Sequence, residues 1–123
     1  MKYDGDPRFD GYYLEDSYLL SVDESEPSRL AFSLLLVLTS KHALYSAPKP
    51  SEQHCYRNGL LVFEGVIAVD WTARSFKPVR DLDGSIDYGN IDVFEIDPAG
   101  RYYLEGEWGC VAVTAESASV RVS

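Results

Sequence analysis

The feature that most constrains the fold is a period-two pattern of large apolar residues. Leu30, Phe32, Leu34, Leu36 and Leu38 share one parity of a single run, and Tyr12, Leu14, Tyr18, Leu20 and Val22 share one parity of an earlier run. Side chains at every second position lie on one face of a strand, so both runs read as half-buried strands. Ser28 would serve as a helix N-cap for the second run, but β-branched Val37 and Thr39 and the period-two pattern favour a strand. A chain of 123 residues, 46% apolar, can bury a sizeable core as a single domain, 1–123, without a disulfide or metal staple.

The remaining signals are also of strands and turns. Residues 46–55 form a polar, Pro-rich loop. Asn58-Gly59, between Tyr56-Arg57 and Leu60-Leu61, predicts a hairpin turn, and Gly65 predicts a bulge before a strand over 66–71. Residues 72–80 read as a connector with room for one helical turn, and Asp83-Gly84 as a turn. Strands are expected over 86–96, 101–108, 110–115 and 119–122. The expected fold is all-β: a single antiparallel sandwich or partly open barrel of about seven to nine strands.

The turn at 97–100 sets a register. A two-residue loop at Pro98-Ala99 would place Glu95 beside Tyr102 on the apolar face. A type I turn closed by left-handed Gly100 instead sets Ile96 against Tyr102, Phe94 against Leu104, Asp92 against Gly106 and Asp97 against Arg101. The second choice gathers Phe94, Ile96, Tyr102, Leu104 and Trp108 on one face and is preferred, because a one-residue slip turns a whole face over. It also puts Asn90 and Asp92 on that face, and Asp16 interrupts the apolar parity of the first strand in the same way. A core-facing carboxylate must be hydrogen-bonded, paired or protonated. Asp16, Asn90 and Asp92 are therefore the candidates for a polar pocket, against the simpler reading that each lies where a strand end meets water.

Charge separates along the chain. Residues 1–27 hold 8 acidic and 2 basic side chains, 28–80 hold 3 and 7, and 81–123 hold 9 and 2, giving −6, +4 and −7 within a total of −9. This acidity excludes nucleic acid as an expected partner. The longest apolar stretch, 30–38, is too short for a membrane-spanning helix. The acidic N-terminus lacks the basic start and apolar core of a signal peptide, so a cytoplasmic location is expected, with Cys55 and Cys110 reduced. Nine tyrosines beside one methionine suit a contact surface, since tyrosine offers a large area with a polar tip, although it is also a good strand residue. Tyr88, Asp81, Asp83, Asp87, Glu105 and Glu107 are the candidates for contact with a basic partner protein.

Catalytic and metal motifs fail on inspection. Asp81, Asp83, Ser85, Asp87 and Asp92 follow the spacing of an EF-hand loop, but Ile86 stands where glycine is needed and Asp92 where a bidentate Glu is needed. His42, His54, Cys55 and Cys110 lack chelating spacing for zinc. No nucleophile elbow, zinc helix or phosphate loop is present. Glu105 and Glu107, about 7 Å apart along a strand, would suit a glycosidase pair, but they fall on the face opposite the aromatic cluster. No cofactor is expected.

Two stretches, Asp16-Ser17-Tyr18-Leu19-Leu20-Ser21-Val22 and Tyr103-Leu104-Glu105-Gly106-Glu107-Trp108-Gly109, resemble small, acidic, all-β bacterial proteins, some of them grouped with the immunity proteins of toxin systems. The first resembles a Phe-His-Asp opening, with Leu14 and Glu15 in place of the first two residues. The resemblance implies neutralisation of a partner protein and carries over no catalytic residue. The leading expectation is a non-enzymatic, immunity-like protein-binding domain. The alternatives are an enzyme using Asp16, Asn90 and Asp92 with a small molecule or metal, and a self-associating module, a homodimer covering Leu35 and Val37.

Overall fold

The computed structural model describes residues 6–50, 52–80 and 84–123. After a 3-10 turn at Pro7–Phe9 come β1 (Tyr12–Glu26), β2 (Arg29–Leu38), β3 (Cys55–Arg74), β4 (Val79–Arg80), β5 (Ile86–Asp87), β6 (Ile91–Asp97), β7 (Arg101–Gly106) and β8 (Gly109–Val122). Six of them form one antiparallel sheet in the order β1-β2-β3-β8-β7-β6, and β4 and β5 pair separately. The two outer strands approach each other: Tyr18 bridges Asn90, the Leu19 amide donates to the Gly89 carbonyl at 2.9 Å, and the Tyr88 amide donates to Leu19 at 2.8 Å. The sheet thus rolls into a partly open barrel, joined at one seam.

The interior follows the alternation in β2, where Leu30, Phe32, Leu34, Leu36 and Leu38 are all at most 2% exposed. A chain of rings fills the barrel, from Phe9 on Phe94 through Tyr102, Phe63 and Phe32 to Trp108, Trp71, Phe76 and Tyr88. The 3-10 turn is tied down where this chain begins. Asp6 caps it by accepting the Arg8 amide, and the Arg8 guanidinium reaches the Tyr102 hydroxyl at 2.6 Å. Further along, the Arg74 guanidinium lies 4.4 Å from the centre of the Trp71 ring and pairs with Glu24.

The turn at 97–100 forms as the register requires. Gly100 is left-handed at φ 86°, its amide donates to the Asp97 carbonyl, and Asp97 faces Arg101, Ile96 faces Tyr102 and Phe94 faces Leu104. One step further the register departs from expectation. Ile91, not Asp92, faces Gly106, because Asp92 is an extra residue between the Ile91 and Val93 pairs. Ile91 therefore turns inward and Asp92 is exposed.

Bulges also correct β1. Five steps from Tyr13 to Tyr18 span only two from Val37 to Leu35, so three residues are extra, and Leu20 is a fourth between Leu19 and Ser21. Each odd insertion reverses the faces, so Leu14, Leu19 and Val22 point inward, while Tyr18 points outward.

Asn58-Gly59 is not a turn: it lies within β3, opposite Leu35 and Leu34. A Cβ on Gly59 would collide with Leu36 Cδ1 and the Arg121 carbonyl oxygen, so glycine serves close packing here. The bulge expected at Gly65 falls at Ile67, just after a left-handed Gly65. Residues 72–74 continue β3 in place of a helical turn, residues 88–90 interrupt the strand expected over 86–96, and β8 runs unbroken to Val122. Asp81 and Asp83, with the turn expected there, lie outside the described residues.

Candidate functional site

The polar residues singled out from the sequence lie near the seam where Tyr18 of β1 bridges Asn90, but neither carboxylate is buried. Asp92 is exposed on β6, and the side chain of Asp16 is half-exposed in the β1 bulge. Asn90 lies at the barrel seam, where its carbonyl accepts the Trp108 indole N–H at 3.1 Å. The structural reason is the same for both carboxylates: a bulge releases each from the inward parity that simple alternation assigns. Asp87 is buried and accepts the Gly89 amide at 2.8 Å, while Tyr88 packs on Phe76, so these two support the seam. Glu107 is exposed in the turn between β7 and β8.

Glu105 lies on an outer face with a definite composition. Across β6, β7, β8 and β3 the ladder sets Asp97, Arg101, Thr114 and Ala68 in one row. The next row is Glu95, Tyr103, Ala112 and Asp70, and the third is Val93, Glu105, Cys110 and Ala73. The twelve positions hold four carboxylates and one guanidinium. Small residues on β8 and β3 leave a depression of about 260 Å³, lined by Glu95, Asp97, Arg101, Tyr103, Thr72 and Ala112 among others. That is smaller than the usual enclosed ligand pocket of about 300–1,000 Å³.

Glu105 organises its row by accepting the Tyr103 hydroxyl at 3.2 Å and the Cys110 thiol at 3.1 Å. The Glu105 carboxylate raises the Cys110 pKa, holding the sulfur as a thiol and not as a nucleophilic thiolate. The Tyr103 hydroxyl is pushed up to about 12, first by its contact with Cys110 and then by burial, so this phenol stays a neutral donor. Both cysteines are free.

A second cluster forms around Asp16, whose φ of 74° places a non-glycine residue in the left-handed region at a cost of about 1–3 kcal/mol. Ser17, fully buried, fixes this geometry. Its hydroxyl donates to the Tyr13 carbonyl at 2.9 Å and accepts the Val37 amide at 3.0 Å, standing in for a ladder bond. Asp16 Oδ2 then lies 3.5 Å from His54 Nε2. The His54 ring meets Tyr13 at 6.3 Å and Tyr56 at 5.9 Å, and Tyr18 meets Tyr56 at 5.9 Å. Burial pushes the Tyr56 hydroxyl up to about 12, with further contributions from Tyr18, Asp16 and Glu52. The Ser17 hydroxyl next to the His54–Asp16 pair is committed to the backbone and does not serve it as a nucleophile.

In the sequence His54 stands out only as a poorly spaced zinc ligand, 38 residues from Asp16. The signal that links them is the pairing of Val37 with both Tyr13 and Tyr56, which exists only once three strands are in register. Among the described residues, no group of three or more His, Cys, Asp or Glu side chains is placed to hold a metal ion, and no helix is long and apolar enough to cross a membrane. No family model, curated protein or solved structure matches this chain.

Proposed function

We propose that this protein is a non-enzymatic binding domain, immunity-like in kind, which presents its acidic outer face to a basic surface of a partner protein. The observation that carries this reading is the β6–β7–β8–β3 face, where Glu95, Asp97, Glu105 and Asp70 share one surface with a single guanidinium, Arg101, and the ring of Tyr103. Carboxylates held on a rigid sheet steer a basic partner and fix its orientation, and tyrosine adds contact area at low entropic cost. The shallow depression suits a protruding Lys or Arg side chain better than an enclosed substrate. Val37, an expected element of a self-associating face, is only 2% exposed within one chain, between Tyr13 and Tyr56.

The test is capture of a partner from native lysate at low and high salt, repeated with the double variant Glu95→Lys, Asp97→Lys. Association is expected to slow as salt rises, and the charge reversal is expected to lower the association rate by about tenfold or more. A partner that binds the double variant with unchanged rate and salt dependence refutes the assignment of this face.

A further inference from the structure

The wall formed by β1, β2 and β3 carries a second feature that the acidic face does not use. Tyr13, Val37 and Tyr56 are successive partners across the three strands, and His54 meets both tyrosine rings edge-on. Tyr18 extends the aromatic surface beyond Tyr56, and the Asp16 carboxylate closes one side at 3.5 Å from the imidazole. The Tyr13 residue is 42% exposed, and the side chains of Asp16 and His54 are 50% and 29% exposed, so solvent reaches the cluster. Aromatic faces present negative charge density and a carboxylate presents a full charge. Together they match a cation with apolar or planar surface, an alkylammonium or a guanidinium. The group now among them, His54, comes from the loop before β3, whereas Tyr13, Tyr18, Tyr56 and Asp16 all belong to paired strands. Ser17 holds Asp16 in its left-handed conformation, so the carboxylate's direction is set by the fold and not by a mobile loop.

We propose that Tyr13, Tyr18, Tyr56 and Asp16 form a recognition box for an alkylammonium or guanidinium cation, with the His54 imidazole as its resident, displaceable occupant. A free amine and a lysine or arginine side chain of another protein share this chemistry. The box uses the start of β3, at Tyr56, and the acidic face its far end, at Asp70, so the proposal stands independently of that face.

The experiment follows the ring resonances of Tyr13, Tyr56 and His54 by NMR during titration with tetramethylammonium chloride and with Nα-acetyl-arginine amide. Neopentyl alcohol and Nα-acetyl-citrulline amide serve as neutral controls. Saturable shifts are expected with a cation and not with its neutral counterpart. Response to the arginine amide alone assigns the box to a protein-borne side chain, and response to both cations admits free amines; either result supports the proposal. His54→Ala empties the box and is expected to tighten binding by about three- to tenfold. Asp16→Asn retains a residue tolerant of positive φ and is expected to weaken binding by about tenfold. Tyr13→Ala, at an exposed position, provides a second loss-of-binding variant. The proposal is overturned if neither cation shifts the rings in the wild type or in His54→Ala, or if both loss variants bind as the wild type does.

Discussion

Replacing Ser17 with alanine tests whether a side chain, not a strand, completes the β1–β2 ladder. The hydroxyl is fully buried and makes two hydrogen bonds, accepting the Val37 amide and donating to the Tyr13 carbonyl. Its removal leaves the buried Val37 N–H without its acceptor, which costs about 1–3 kcal/mol, and forfeits roughly 1 kcal/mol from the second bond. The expected loss is about 2–4 kcal/mol. For a chain of this size that lowers Tm by roughly 8–16 °C. Urea denaturation should show a lower midpoint with an unchanged slope, since the surface exposed on unfolding is nearly the same. Hydrogen exchange adds a local readout: the Val37 amide should be protected in the wild type and lose protection in the variant. Ser21→Ala, at an exposed position facing Ser33, is the control and should stay within about 0.5 kcal/mol of the wild type. A loss below about 0.5 kcal/mol in Ser17→Ala, with Val37 still protected, would refute the claim that this hydroxyl holds the bulge.

Three further outcomes are expected. Gly59→Ala should destabilise by about 1–3 kcal/mol in thermal melting, because the new methyl meets Leu36 and the Arg121 carbonyl; combined with Leu36→Ala the losses should be less than additive. Glu105→Gln should accelerate alkylation of Cys110 at mildly alkaline pH, since removing the carboxylate lowers the thiol's pKa, while buried Cys55 stays slow; an unchanged rate would show that Glu105 does not govern this thiol. Tyrosinate absorbance should show Tyr56 and Tyr103 ionising near pH 12 in the folded protein. Their folded pKa values lie above the ordinary value of about 10, so the associated stability is complete below pH 10 and is lost as pH rises from 10 to 12. In Tyr56→Phe, Tyr103→Phe that part of the alkaline loss should disappear from melting curves.

What the sequence determined by itself was local. Alternation of Leu30 through Leu38 names a strand and its inner face, because period two is a property of the chain alone. Asp97 through Gly100 specify a turn, and that turn carries the register back as far as Val93. The all-β fold follows from such signals. The tertiary structure decided where the alternation breaks. Three extra residues before Tyr18, one at Leu20 and one at Asp92 reverse the faces, and nothing in the strand's own sequence counts the residues of its partner. The Asn58-Gly59 pair, suited to a hairpin turn, is claimed by an extended strand that pairs with β2 and β8, and Leu36 and Arg121 leave no room there for a side chain at 59. The meetings of Asp16 with His54, and of Glu105 with Cys110, arise from strand order and pairing. Both sites depend on contacts between residues distant along the chain or across a turn, and only the assembled sheet brings those residues within reach.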